Sequence, residues 1–483
     1  MNKINNQKTT TKVAIFAGAA ALMALTLQTH AQTSVDALLN KLEQKGILSV
    51  DEAKELKAEN ATNSIDDFNK AVGAKFPTPD WVTSYKLYGD FRGRFDDVSS
   101  DLPAFATPGS GVPKREYNNM RLRYRLRVGL TLNMKDDLQV GFRLGTGESP
   151  GTTGSTTGGN PLSSNTTLQA NGSKKFLYVD AAYGKWMAIN NGTWMVAATI
   201  GKMDQPFQAS PMVFDADYTP EGAALQATYK IDDNNSLAFN GAGFVLDQTT
   251  TRGPFLYGGQ MIWNSTWTPK IGTSLGVAAY DIANDSSFPP STTVGIDAPY
   301  DSNLGNTVGP TTIPAVPPVP SFTFARHFNP IVASGSVTYT LDSFPLYKGA
   351  FPIKLAGEFM ENPAASSNNK GWWIGTTLGK SGKKGMWDLS YRYQRLEADA
   401  WWDQIVDDDN IAAFPTVPAA LPTETGAAVG GTNIKGHLVK FNYSIYDSLT
   451  FSFTAYINDL INNPIPSAKT GAVHAMADLM WKF

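Results

Sequence analysis

The sequence predicts an all-β protein: a transmembrane antiparallel β-barrel of 16 strands, with 18 possible, preceded by a short N-terminal periplasmic helical segment. Three observations predict it. The chain opens with an export leader, apolar and polar residues alternate with a period of two from Trp81 to the last residue, and the connectors alternate between short and long.

The leader comes first. Lys3, Lys8 and Lys12 form a basic start, Val13 to Leu27 is apolar, and Thr29-His30-Ala31 offers small residues for cleavage before Gln32. Residues 1–31 therefore read as a secretory signal peptide. The apolar run falls short of the roughly 20 residues a membrane-spanning helix needs, which weighs against the alternative of an uncleaved anchor. Cleavage removes three lysines, leaving 37 basic against 43 acidic residues and a formal charge of −6. No strongly basic domain or tail suggests a nucleic-acid partner. The absence of cysteine excludes disulfides, thiol catalysis and cysteine-ligated zinc.

Residues 32–80 read as a periplasmic helical segment and linker. Leu38, Leu39, Leu42, Ile47 and Leu48 fall near helical spacing, Gly46 breaks the run, and Ser49-Val50-Asp51-Glu52 has the form of a capping box. A polar stretch ending in Pro77-Thr78-Pro79 follows. Tether, trimerisation element, plug and simple spacer all remain open for this piece.

Residues 81–483 are assigned to the barrel. The first strand sets Leu87, Gly89, Phe91, Gly93 and Phe95 against Tyr88, Asp90, Arg92 and Arg94. The second sets Met120, Leu122, Tyr124, Leu126, Val128, Leu130 and Leu132 against Arg121, Arg123, Arg125, Arg127, Gly129, Thr131 and Asn133. The third repeats the pattern around Arg143. A slip by one residue would turn the four arginines of the second strand toward lipid, at roughly 2–4 kcal/mol each near the midplane, so register is strongly fixed. Thirteen further segments follow, near residues 175–187, 193–202, 222–231, 236–246, 255–266, 271–281, 330–341, 351–360, 371–379, 386–395, 436–446, 449–458 and 472–483. Short turns such as Met134 to Asp137 and Asp447-Ser448 alternate with long connectors at 96–117, 145–174, 203–221, 282–329 and 396–435. Short periplasmic turns opposite long outward loops are the asymmetry of such barrels. In the last strand Val473, Ala475, Ala477, Leu479, Trp481 and Phe483 share one face, and a terminal aromatic there resembles the assembly signal read by the outer-membrane barrel-assembly machinery.

The long loops carry the low-complexity material. Residues 145–174 are rich in glycine, serine and threonine and read as flexible surface. The stretch 282–329, with Pro289-Pro290 and Pro317-Pro318, could fold back over the mouth. Asp399, Asp403, Asp407, Asp408 and Asp409 read as a solvated acidic loop, with a divalent-cation site as the alternative.

Catalytic readings find no support. The mature chain holds only His327, His437 and His474, and no HExxH, GxSxG or P-loop pattern appears. No enzyme, no cofactor and no metal site is expected. The basic face is the stronger signal. Arg121, Arg123, Arg125 and Arg127 stack along the expected inner wall, with Arg92, Arg94 and Arg143 beside them. Guanidinium stays charged at any working pH, so these residues make a permanent positive stripe along a lumen. The third outward loop supplies the opposite sign with Asp204, Asp215, Asp217 and Glu221. Acid facing base across a lumen would set a transverse field; a loop lying outside would merely solvate its acids.

These residues also carry a family resemblance. Gly201-Lys202-Met203, Pro206-Phe207, Phe214-Asp215-Ala216-Asp217 and Pro220-Glu221-Gly222 resemble the putative porin family. So do Gly379-Lys380, Trp387, Tyr391-Arg392-Tyr393 and Leu396-Glu397-Ala398-Asp399-Ala400. The resemblance implies an outer-membrane channel for passive diffusion of small hydrophilic solutes or ions, trimeric, embedded in outer-membrane lipid and without catalytic residues. In porins of this strand number the third loop folds into the barrel. A solute-specific channel and a non-conducting surface or adhesion barrel are the alternatives.

Overall fold

The structure is a computed structural model that describes residues 79–100, 117–148, 158–247, 253–285, 293–294, 302–313, 319–324, 326–416, 425–463 and 469–483. The leader and the helical segment lie outside the described residues, as do Pro289-Pro290 and Pro317-Pro318.

Sixteen long strands close into one antiparallel barrel. They are β1 (Val82–Ser100), β2 (Tyr117–Met134), β3 (Leu138–Gly147), β4 (Phe176–Asn190), β5 (Trp194–Lys202), β6 (Glu221–Lys230), β7 (Asn235–Val245) and β8 (Phe255–Thr268). The circuit continues through β9 (Ile271–Ala283), β10 (Ile331–Leu341), β11 (Phe351–Glu361), β12 (Lys370–Gly379), β13 (Trp387–Leu396), β14 (Ile434–Tyr446), β15 (Leu449–Leu460) and β16 (Ala472–Lys482). Each pairs with its chain neighbour, and β16 returns to β1 in a register running from Asp90↔Lys482 to Ser100↔Ala472. Closure leaves no sheet edge, which a lipid-exposed barrel requires.

Every strand read from the alternation is present. The loops hold additional hairpins, at Val308–Ile313 with Val319–Phe324 and at Ile411–Thr416 with Thr425–Gly430, but these form separate two-stranded sheets. The count is therefore 16 rather than 18. A two-residue strand, Thr166–Thr167, adds to β2 opposite Tyr124 and Arg123.

The alternation sorts side chains as lipid and water demand. Leu122 is 52% exposed on the outer face while Arg125 is 4% exposed within. Aromatic residues gather at the turn end, with Trp194 against Tyr229, Trp263 against Trp267, and Phe351 between Phe344 and Trp387. This is the interfacial girdle of a membrane barrel.

The largest hydrophobic core lies inside the barrel, not outside it. Loop 3 (203–220) contributes Phe207, Met212, Val213, Phe214 and Tyr218; loop 7 (397–433) contributes Trp401, Trp402, Ile405 and Val406. They pack on Phe244, Leu256, Tyr280 and Ile282 at the loop ends of β7, β8 and β9. The acidic run of loop 7 is thus no solvated surface: Asp399 and Asp403 are 2% and 0% exposed. Loop 2 also turns inward, with Leu162, Asn165 and Thr166 buried, so this part of 145–174 is not flexible surface.

Candidate pore and constriction

On β1 and β2 the register sets Arg92 opposite Arg125 and Arg94 opposite Arg123. Like charges directly opposite destabilise a sheet unless compensated. Carboxylates provide the compensation. Asp96 receives Arg121 at 3.0 Å and Arg123 at 3.2 Å. Asp90 receives Arg125 at 2.9 Å and Arg127 at 2.8 Å. Arg94 bonds Asp478 at 2.8 Å and Asp409 at 3.2 Å. Arg143 pairs with Asp180 and, at 2.7 Å, with Asp204. Arg92 differs: it donates to Asn165 at 2.7 Å and makes no ion pair among the described residues.

Loop 3 lies inside the barrel. Asp217 accepts from Arg125 at 2.9 Å and from Arg127 at 3.3 Å, in the middle of β2. On the far side Gln208 exchanges hydrogen bonds with Gln260 of β8 at 2.9 and 2.8 Å. Ser210 bonds Glu358 of β11. The loop therefore spans the lumen from β2 to β8 and β11. Loop 7 lies along it, joined by Asp215 N–H to the Ile405 carbonyl at 2.8 Å and Asp407 N–H to the Pro211 carbonyl at 3.0 Å. The Trp401 indole N–H donates to the Val213 carbonyl at 2.7 Å. The candidate constriction is a two-loop body.

The four acids expected at the constriction separate into three roles. Asp204 and Asp217 meet the arginines. Asp215 packs instead toward loop 7, where its carboxylate and those of Asp407 and Asp408 each bring one oxygen within 4.8 Å of the others. Burial, reinforced by repulsion from Asp408, Asp407 and Asp217, pushes the Asp215 carboxyl well above the usual carboxylate range. Asp407 and Asp408 are pushed up by burial and by repulsion from Asp409. Glu221 does not join the constriction. It is the first residue of β6, with outward parity, and pairs with Lys202 at 3.3 Å.

Two other loop-7 acids are staples. Asp403 accepts from the Leu304 and Asn306 N–H groups at 2.7 and 3.1 Å, and burial still raises its carboxyl to about 6. Asp399 accepts from Thr307 N–H at 2.9 Å. Residues 304–307 of loop 5 (284–330) are thereby tied to loop 7. Sequence reasoning missed loop 7 as a constriction element. The adjacent pair Trp401-Trp402 was the available signal, because two tryptophans do not suit a solvated acidic loop.

A cavity of about 880 Å³ remains in the lumen. Arg92, Arg125 and Asp217 line one side, and Asp407, Asp408 and Asp409 reach into it from loop 7. The opposite wall presents Lys354, Thr377, Ser390, Arg392 and Lys440. Arg392 lies 3.6 Å from Asp407, too long for a hydrogen bond, and its cation rests 5.8 Å from the Trp373 ring centre.

Residues 99–302 match the profile of a family described as putative porin, which bears out the resemblance carried by the sequence. No curated protein matches. Similar solved structures include OprB of Pseudomonas putida at high pH, with 10% identity, 83% of this chain and 94% of that one covered, and a TM-score of 0.44. A triple mutant of the Rhodopseudomonas blastica porin gives 10% identity, 83% and 100% coverage and a TM-score of 0.36. The outer membrane channel DcaP of Acinetobacter baumannii gives 12% identity, 83% and 97% coverage and a TM-score of 0.38. The architecture of this chain rests on its own strand register rather than on those likenesses.

Proposed function

We propose that the chain forms a water-filled outer-membrane pore through which small hydrophilic solutes and ions diffuse passively. One observation carries the reading: a closed barrel with a lipid-facing apolar band encloses a charged lumen, narrowed midway by two inward loops. The match to the putative porin family supports the same conclusion and points to a channel rather than an enzyme.

Around that reading, residues 1–31 serve as a cleaved signal peptide, residues 32–80 as a periplasmic segment and 81–483 as the pore. The barrel-assembly machinery inserts the chain, Phe483 completes the signal, and three copies associate in the lipid. The arginines of β1 to β3 and the acids Asp204 and Asp217 form the constriction, where ordered charges of both signs favour polar solutes over apolar ones.

Recording of the mature protein in a planar lipid bilayer tests the proposal. Stepwise conductance increments, rising with salt, are expected. Complete absence of steps from folded protein would instead favour a surface or adhesion barrel. A solute-specific channel has a particular observation in its favour, the lysines Lys354 and Lys440 without ion-pair partners among the described residues on the wall opposite the acids, and would reveal itself by saturable block.

A further inference from the structure

We infer that β11 to β14 carry an anion track, in which Lys354 and Lys440 take the oxyanion groups of permeating solutes and set the charge selectivity of the pore. The inference rests on the pore reading above and deepens it.

The register places the track. Lys354 of β11 stands opposite Thr377 of β12, Thr377 opposite Ser390 of β13, and Ser390 opposite Lys440 of β14. All four line the lumen cavity. The two ammonium-bearing strands are three spacings apart, about 14 Å at ~4.8 Å per strand. Between them lie two hydroxyls 3.1 Å apart, Thr377 Oγ1 and Ser390 Oγ. They share one hydrogen bond, so one hydroxyl donates to the other and the second keeps its proton free to turn toward an anion. The row therefore reads ammonium, hydroxyl, hydroxyl, ammonium.

Charge bookkeeping distinguishes this row from the arginine ladder. Every ladder arginine on β2 is held by Asp90, Asp96 or Asp217, so its charge is largely cancelled and its geometry fixed. Lys354 and Lys440 are exposed to the lumen and form no ion pair among the described residues. Their charges are available to a passing ion. Arg392, two residues further along β13, leaves Nε and Nη2 without hydrogen-bond partners beside the same row, with Asp407 at ion-pair distance, 3.6 Å. Across the cavity stand Asp217 and Asp409, each already paired with arginine, and Asp407 and Asp408, so the uncompensated positive charge of the cavity sits on the lysine wall. Anions are drawn to the β11–β14 side. Two separated lysines suit conduction, because an anion handed from one to the other is bound strongly enough to enter and weakly enough to leave. A lysine ammonium is a flexible point charge that follows a moving anion, whereas a guanidinium held in a fork by two carboxylates does not.

The test compares the mature wild type with K354Q/K440Q and K354R/K440R in planar bilayers, across a potassium chloride gradient. Inorganic phosphate and acetate are then added as probes. The glutamine pair is expected to lower the anion-to-cation permeability ratio severalfold and to abolish the reduction of chloride current by both oxyanions. The arginine pair is expected to restore both. A glutamine pair that conducts with the wild-type ratio, or keeps the oxyanion effect, overturns the track while leaving the pore reading intact. Absence of wild-type conductance overturns the pore reading itself. Wild-type heat-modifiable mobility on gels confirms that the glutamine pair is folded.

Discussion

Arg125 is 4% exposed and bonded to Asp90 and Asp217 at once, so it joins the wall of the barrel to loop 3. Removing one partner of a buried ion pair leaves the others uncompensated, at a cost of about 3–5 kcal/mol. Arg125→Gln is therefore expected to lower the thermal unfolding temperature and to raise open-channel noise as loop 3 loosens. Selectivity should move less than in K354Q/K440Q; the converse ranking in bilayer recordings would return the selectivity role to the ladder. A second residue-scale device sits at the mouth. His327 places Nδ1 2.8 Å from Asp285 and Nε2 2.9 Å from Asp281. Both partners accept, so both bonds are made only by the protonated ring. Partial burial opposes that charge, yet the two carboxylates outweigh it and hold the His327 pKa above its ordinary value. A raised folded pKa means the stabilisation is complete below about 6.5, the unfolded value, and is lost as pH rises through the folded one. Limited proteolysis of loop 5 should accelerate over that alkaline-going window, and His327→Gln should remove the pH dependence.

At the scale of elements, the strands were legible and the inward loops were not, for one physical reason. A barrel strand must alternate lipid-facing and lumen-facing side chains, so the second strand announces its register through Arg121, Arg123, Arg125 and Arg127. A loop has no period to read. The acids of loop 7 looked solvated because five aspartates in eleven residues usually are, and only Trp401-Trp402 spoke against it. In the fold those tryptophans are fully buried against loop 3, and Trp401 supplies one of the three hydrogen bonds joining the loops. Lys354 and Lys440 were equally invisible, since their row exists only once the registers of four successive strands are fixed. Trp401→Ala should cost about 3–5 kcal/mol of local packing. With the barrel wall untouched, the loss should fall on the constriction: single-channel conductance should rise, while heat-modifiable mobility on gels stays that of a folded barrel. An unchanged conductance would mean that loop 7 does not limit the pore.

The whole molecule depends on one long-range closure. β1 and β16 are nearly 400 residues apart in the chain, and the ladder between them runs as far as Ser100↔Ala472. Its turn-end terminus is Phe483, whose N–H and carbonyl both bond Gly89, at 3.1 and 2.9 Å. The ring covers Gly89 so closely that an added Cβ would come within 2.6 Å of it and nearer still to the Arg127 carbonyl. Deleting Phe483 therefore removes two backbone hydrogen bonds and the aromatic that shields them, at the seam where a barrel either closes or exposes an edge to lipid. An unsatisfied backbone group in lipid costs several kcal/mol, so the truncated chain should reach the outer membrane at reduced levels and lose its heat-modifiable mobility. Gly89→Leu separates the two parts of this argument. It keeps the terminal aromatic available to the assembly machinery but obstructs the seam. If seam closure is what matters, both variants should assemble poorly; if recognition of the terminal aromatic is what matters, only the deletion should. Normal outer-membrane levels of both variants would remove the final seam from the account of how this barrel closes.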